Sequence, residues 1–217
     1  MSIFNKELLI RAVSALTLLP IVLAAIWFEG VYLLALLVVA AILMGREWLR
    51  LSGAGFKPLW WLGGVVYIGL PLVSIYWLRG QDNGTMWVFY ALFVVFAMDV
   101  GGYFAGRLIG GPKLAPKISP KKTWAGLLGG VGLSLAIGYV FHMWGHVGAS
   151  MSQMLMASAL FAVWSQVGDL FESRLKRASG LKDSGGLIPG HGGILDRVDG
   201  LVFALPLIAV LYSVLAS

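Results

Sequence analysis

The stretch SRLKRASGLKDSGGLIPGHGGILDRVDG, residues 173–200, separates two long apolar segments of this 217-residue chain. It gathers Arg174, Lys176, Arg177, Lys182, Asp183, Asp196, Arg197 and Asp199, in a sequence with only 16 basic and 10 acidic residues altogether. His191 and a run of glycines lie between them. A soluble domain carries about 25% charged residues, whereas this chain has 12% and is 59% hydrophobic. Lipid must therefore solvate much of it. The stretch reads as a polar connection between membrane helices, and the fold as an all-α, polytopic integral membrane bundle.

A spanning helix needs about 20 mostly apolar residues. Working outward, seven segments qualify: roughly 9–28, 30–45, 58–78, 85–107, 124–144, 151–172 and 195–216, the second short and able to run on through Trp48. The first has a basic flank, Lys6 and Arg11, and a second span follows at once, so it reads as a retained anchor. With the N-terminus in the cytoplasm, segments 1–11, 46–57, 107–123 and 173–197 face inward. They hold 15 of the 16 basic residues, and only Arg79 falls outside, the bias that the positive-inside rule describes. The expected organisation is one transmembrane domain over 1–217. N-terminal helices occupy 1–97, a site-bearing region with two cytoplasmic polar loops occupies 98–200, and the last helix spans 195–216.

The chain has no cysteine, which excludes disulfides, thiolate metal sites and a cysteine nucleophile. Its formal charge of +6 points to anionic lipid and anionic substrates; no nucleic-acid signature accompanies it.

Carboxylates within membrane helices cost about 2.5–3.5 kcal/mol on insertion scales and usually mark function. Asp196 and Asp199 are three apart, one turn on one helical face. Like charges so placed repel unless a proton or cation lies between them. Asp169 and Glu172 repeat the spacing at the end of the sixth span. Packing of spans six and seven would bring these acids together as an oxygen-donor site for Mg²⁺, Mn²⁺ or Ca²⁺. Asp99, in the fourth span, is a further candidate. The plainer alternative is that Asp196 and Asp199 cap the seventh helix and favour its N-terminal dipole.

Around them, Arg174, Lys176, Arg177, Lys182 and Arg197 share the segment with Gly185, Gly186, Gly190, Gly192 and Gly193. Glycine lets backbone N–H groups approach an anion closely. Basic side chains, open backbone and a metal site describe a phosphate pocket, with His191 inside it; the alternative is a solvated face obeying the charge rule. A second patch, MDVGGYFAGRLIGGPKLAPKISPKKTWAG (98–126), carries Lys113, Lys117, Ser119, Lys121, Lys122 and Thr123 and is stiffened by Pro112, Pro116 and Pro120. Alone it is an ordinary basic loop; beside the first patch it reads as a second wall of the same site. Gly102, Gly106 and Gly110 are four apart, as are Gly126 and Gly130, a spacing that lets membrane helices pack closely. These glycine faces would also permit a homodimer. His142 and His146 have metal spacing but lack the glutamate of HExxH, and read as an interfacial pair.

Residues 173–199 resemble the signature of the phosphatidate cytidylyltransferases, the CDP-diacylglycerol synthases. The resemblance is carried by Ser173, Lys176, Arg177, Lys182, Asp183, Gly185, Pro189, His191, Gly192, Gly193, Asp196, Arg197 and Asp199. Segment 98–126 is similar to the family's second region. The resemblance implies transfer of CMP from CTP to phosphatidic acid, giving CDP-diacylglycerol and pyrophosphate, at the cytoplasmic face of a bacterial inner membrane. It implies Mg²⁺, either alone or as one of two ions with a monovalent partner. Asp169, Asp196 and Asp199, with Asp99, would hold the metal; Lys176 and Arg197 would act on the reacting phosphates. Arg177, Lys182 and His191 would bind phosphate, Ser119, Lys121, Lys122 and Thr123 the nucleotide or lipid headgroup, and Asp183 the cytosine or ribose, or else a neighbouring base.

Two rivals stand beside this reading. The CDP-alcohol phosphotransferases also use intramembrane aspartates, but Asp199-Gly200 is followed by Leu201, Val202, Phe203 and Ala204 with no later acid. A membrane cation or phosphate transporter would use the same aspartates, but would spread polar residues along several spans rather than concentrate them on one side.

Overall fold

The computed structural model describes residues 3–52, 58–144, 149–187 and 192–215. Its helices are α1 (Ile3–Phe28), α2 (Gly30–Ser52), α3 (Pro58–Arg79), α4 (Gly84–Leu108), α5 (Trp124–Met143), α6 (Met151–Ala178) and α7 (Leu195–Leu215). Six of them, α2 to α7, are long and apolar enough to cross a membrane. In α1 the described apolar part is the shorter run Leu16–Phe28. The chain is an integral membrane protein of the all-α class. Pro20, Pro71 and Pro206 lie inside helices, as membrane helices tolerate when neighbouring groups take up the freed backbone bonds.

Two helices outrun the hydrophobic segments that announce them. α2 continues through Ser52 and α6 through Ala178. Arg46, Arg50, Arg174, Lys176 and Arg177 therefore stand on helical faces instead of in loops. A hydropathy window ends where charge begins, whereas the helix ends where its backbone bonds can no longer be made. Beyond α6, Gly180 adopts φ +69°, the left-handed conformation that commonly closes a helix.

The second polar patch is a small antiparallel ribbon, where the sequence suggests a loop. β1 (Lys113–Ala115) pairs with β2 (Ser119–Thr123), with Lys113 opposite Thr123 and Ala115 opposite Ser119. Pro120 is tolerated because a two-stranded ribbon consists only of edges. Thr123 ends β2 and begins α5: its Oγ1 accepts a hydrogen bond from Gly126 N at 3.1 Å, an N-cap.

The chain divides into two compact units. The first comprises residues 1–72 and 175–198, the second 73–174 and 199–217. In the first, Trp48 of α2 stacks on Trp60 of α3 with centroids 4.9 Å apart, and its Nε1 donates to Trp60 O at 3.0 Å. Ser179 Oγ donates to Leu51 O at 2.6 Å, fastening the end of α6 to α2. The second unit is built on a tight α4–α5 pair. A methyl group on Gly101 would stand 2.6 Å from Gly129 O, and one on Gly126 would stand 2.8 Å from Gly102 O; neither fits. Gly102, Gly106, Gly126 and Gly130 thus pack helices as their spacing predicts. Gly110 does not: it lies past the end of α4 at φ +69° with open space around it, so its role is conformational. Tyr90, fully buried, shares a 2.7 Å hydrogen bond with Ser158 of α6, with Phe141 and Phe161 around its ring.

Candidate active site

In the first unit the signature segment is organised around two carboxylates. The extension of α6 places Lys176 on a buried face, and its Nζ donates to Asp196 Oδ1 at 2.6 Å. Asp196 Oδ2 accepts from Gly193 N at 2.8 Å, Ser184 N at 3.0 Å and Ser184 Oγ at 2.9 Å. Asp196 lies in the first turn of α7, so it favours the helix dipole as well. The second carboxylate is Glu47 of α2, 3% exposed, which sequence reading left out. Its Oε1 accepts from Ile194 N and its Oε2 from Leu195 N, each at 2.9 Å. Oε2 also lies 2.9 Å from Ser184 Oγ. Ser184 has one hydroxyl proton, so it serves Glu47 and Asp196 alternately. Ile194 has no polar side chain to cap α7, and Glu47 takes that role from another helix. One signal could have found it: an acid inside REWLR, on a helix otherwise made for lipid.

In the second unit, three acids come within electrostatic reach of Asp199. Asp199 of α7 feels the charges of Asp169 and Glu172 of α6 and of Asp99 of α4. Glu172 is fully buried. The close approach of α6 and α7 depends on Gly168, where a methyl group would stand 2.5 Å from Asp199 O. Asp169 forms an ion pair with Lys122 of β2 and accepts from Ser173 Oγ at 3.3 Å. Asp199 Oδ1 accepts from Gly200 N at 2.7 Å. Gln166, one turn before Asp169, buries its amide nitrogen without a hydrogen-bond partner, and sequence reading missed it too. It lies among apolar residues and carries no charge to draw attention.

The other expected residues are placed as follows. Lys121, Arg177, Lys182, Asp183 and Arg197 are exposed, Ser119 is half-buried, and Thr123 is buried as the α5 cap. Arg177 Nη1 donates to Leu181 O at 3.2 Å. His191, Pro189 and His146 lie outside the described residues; His142 makes a 3.1 Å contact through Nδ1 with Ala149 O.

No three histidine, aspartate or glutamate side chains among the described residues are gathered into a ready metal shell. The donor chemistry still fits Mg²⁺. That ion takes hard oxygen ligands and usually binds through one or two carboxylates, completing its shell with water and substrate phosphates. Asp99, Asp169, Glu172 and Asp199 supply such oxygens.

These features define a class: a polytopic helical membrane protein with an intramembrane carboxylate cluster and basic, glycine-rich polar segments suited to phosphate. Residues 58–215 match the model of the cytidylyltransferase family, and the chain belongs to that family. A phosphatidate cytidylyltransferase of Brucella suis is 41% identical over 178 residues, covering 82% of this chain and 63% of the relative. One from Staphylococcus haemolyticus is 37% identical over 202 residues, covering 91% and 77%. The chain thus spans 63% of the length of the Brucella protein.

Proposed function

We propose that the protein is a phosphatidate cytidylyltransferase of phospholipid biosynthesis. It would transfer CMP from CTP to phosphatidic acid at the cytoplasmic face of a bacterial inner membrane. The observation that carries this reading is the match to the cytidylyltransferase family, whose relatives bear that name, in a chain where Asp199 lies within reach of three other acids.

A phosphate oxygen of the lipid attacks the α-phosphorus of CTP. The bond from that phosphorus to the bridging oxygen of the β-phosphate breaks, and pyrophosphate leaves. The nucleophile is already ionised, so no strong base is needed; the barrier is the approach of two anions. Asp199 and Asp169, with Asp99 and Glu172, would hold Mg²⁺, which would supply positive charge to the reacting phosphates. Lys176, Arg177, Lys182 and Arg197 neutralise phosphate charge from the protein side. Asp196, tied to Lys176 and to three donors around the α7 N-terminus, orients that lysine and fixes the signature segment. Lys121 and Ser119, on the β1–β2 ribbon, are suited to nucleotide or headgroup phosphate. Lys122 holds Asp169 until substrate draws it away. The acyl chains stay in lipid while the headgroup meets soluble CTP.

The test uses purified protein in mild detergent with phosphatidic acid, Mg²⁺ and α-labelled CTP. Label entering the lipid fraction, and failing to do so without Mg²⁺, is the expected result. A folded protein that neither labels lipid nor binds CTP would exclude the reading.

A further inference from the structure

The cytoplasmic end of α2 carries a feature that the reaction above does not use. Arg46, Glu47 and Arg50, together with Gly185, Gly186 and Leu187 of the signature segment, line a cavity of about 270 Å³. All six belong to the first unit. Arg46 and Arg50 are four apart on one helix, and so project on one face. Both are exposed, and neither is drawn into an ion pair among the described residues. Glu47 does not cancel them. Its carboxylate is buried and directed at Ile194 N, Leu195 N and Ser184 Oγ, and those bonds hold the glycine segment against the helix that bears the arginines. Two arginines lining one cavity with a glycine backbone are suited to the oxygens of a phosphate group. A cavity of this volume has room for a phosphate or pyrophosphate group.

We infer that Arg46 and Arg50, with the backbone at Gly185 and Gly186, form a phosphate-binding subsite built onto the end of α2. The inference rests on the cytidylyltransferase reading for its ligands. The phosphate is supplied either by the triphosphate of the nucleotide or by the headgroup of the anionic lipid. Both arginines are exposed, so replacing them leaves folding intact and isolates binding.

The experiment compares the wild type with the R46Q/R50Q and R46K/R50K doubles, as purified chains of residues 1–217. KM is measured for CTP and for phosphatidic acid separately, with inhibition by inorganic pyrophosphate. R46Q/R50Q is expected to raise one KM by about tenfold or more with kcat less affected, and R46K/R50K is expected to recover part of the loss. A rise for CTP with weakened pyrophosphate inhibition assigns the triphosphate; a rise for phosphatidic acid alone assigns the lipid headgroup. Unchanged values for both substrates and for pyrophosphate would overturn the subsite. If the wild type transfers no CMP, the proposed reaction fails on its own. Direct binding of labelled pyrophosphate and of short-chain phosphatidic acid to wild type and R46Q/R50Q then decides the subsite: weaker binding of either by the variant supports it, and equal binding overturns it.

Discussion

At the scale of single residues, the carboxylates divide into two kinds by what surrounds them. Asp196 meets a lysine and three hydrogen-bond donors, whereas Asp199 meets the charges of three other acids. The first carboxylate is tied into the fold by those partners, and the second is suited to a cation. Asp199→Asn keeps the shape and removes the charge, and is expected to lower CMP transfer by about 10²–10³-fold, the range for losing a group that stabilises transition-state charge. Steady-state labelling, with circular dichroism to confirm helicity, checks this; transfer within threefold of wild type would remove Asp199 from the essential set. Lys176→Met should act differently. Lys176 and Asp196 have side chains only 10% and 7% exposed, and breaking a buried pair by removing one partner costs about 3–5 kcal/mol. The double variant with Asp196→Asn should be less destabilised than the sum of the singles, a coupling that unfolding measurements on all four proteins would read.

Among elements, the α4–α5 pair and the β1–β2 ribbon act together. The ribbon ends in Thr123, which caps α5, and it carries Lys122 to Asp169. The helices it joins approach backbone to backbone at Gly101 and Gly126. Gly126→Leu cannot be accommodated without separating them, and overpacking of this kind costs about 1–3 kcal/mol or more. The expected outcome is a lower melting temperature together with reduced activity, since the helix bearing Asp99 would shift. By contrast, Gly132→Ala, at a position with open space on α5, should leave both near wild type. Equal effects of the two substitutions would mean that the close approach is unimportant.

For the molecule as a whole, the distribution of basic residues predicts orientation. Segments ending at Arg79 and at Lys117 should lie on opposite sides of the membrane. The absence of cysteine gives a clean background for testing this. In inverted and right-side-out vesicles, Lys117→Cys should react with an impermeant thiol reagent from the cytoplasmic side, and Arg79→Cys from the other. Labelling of both from one side would require a different number of crossings between them. The charge rule and the helix order make the same demand independently, because α4 separates the two positions.

The sequence by itself determined the helical membrane class, the spans α3, α4, α5 and α7 to within a residue at each end, the packing role of the glycines spaced by four on α4 and α5, and the family resemblance carried by 173–199. Each of these follows from local composition or spacing, and a helix long enough to cross lipid satisfies its own backbone. Tertiary structure decided which groups the charged residues meet. Asp196 and Asp199 look equivalent on one helical face, yet only the fold gives one a lysine and the other a set of acids. Glu47 is 147 residues from Ile194, and no spacing rule reaches so far. The β1–β2 ribbon, the run of α6 through Lys176 and the cavity beside Arg46 and Arg50 were likewise hidden, because hydropathy reports where lipid is tolerated and not which polar groups meet.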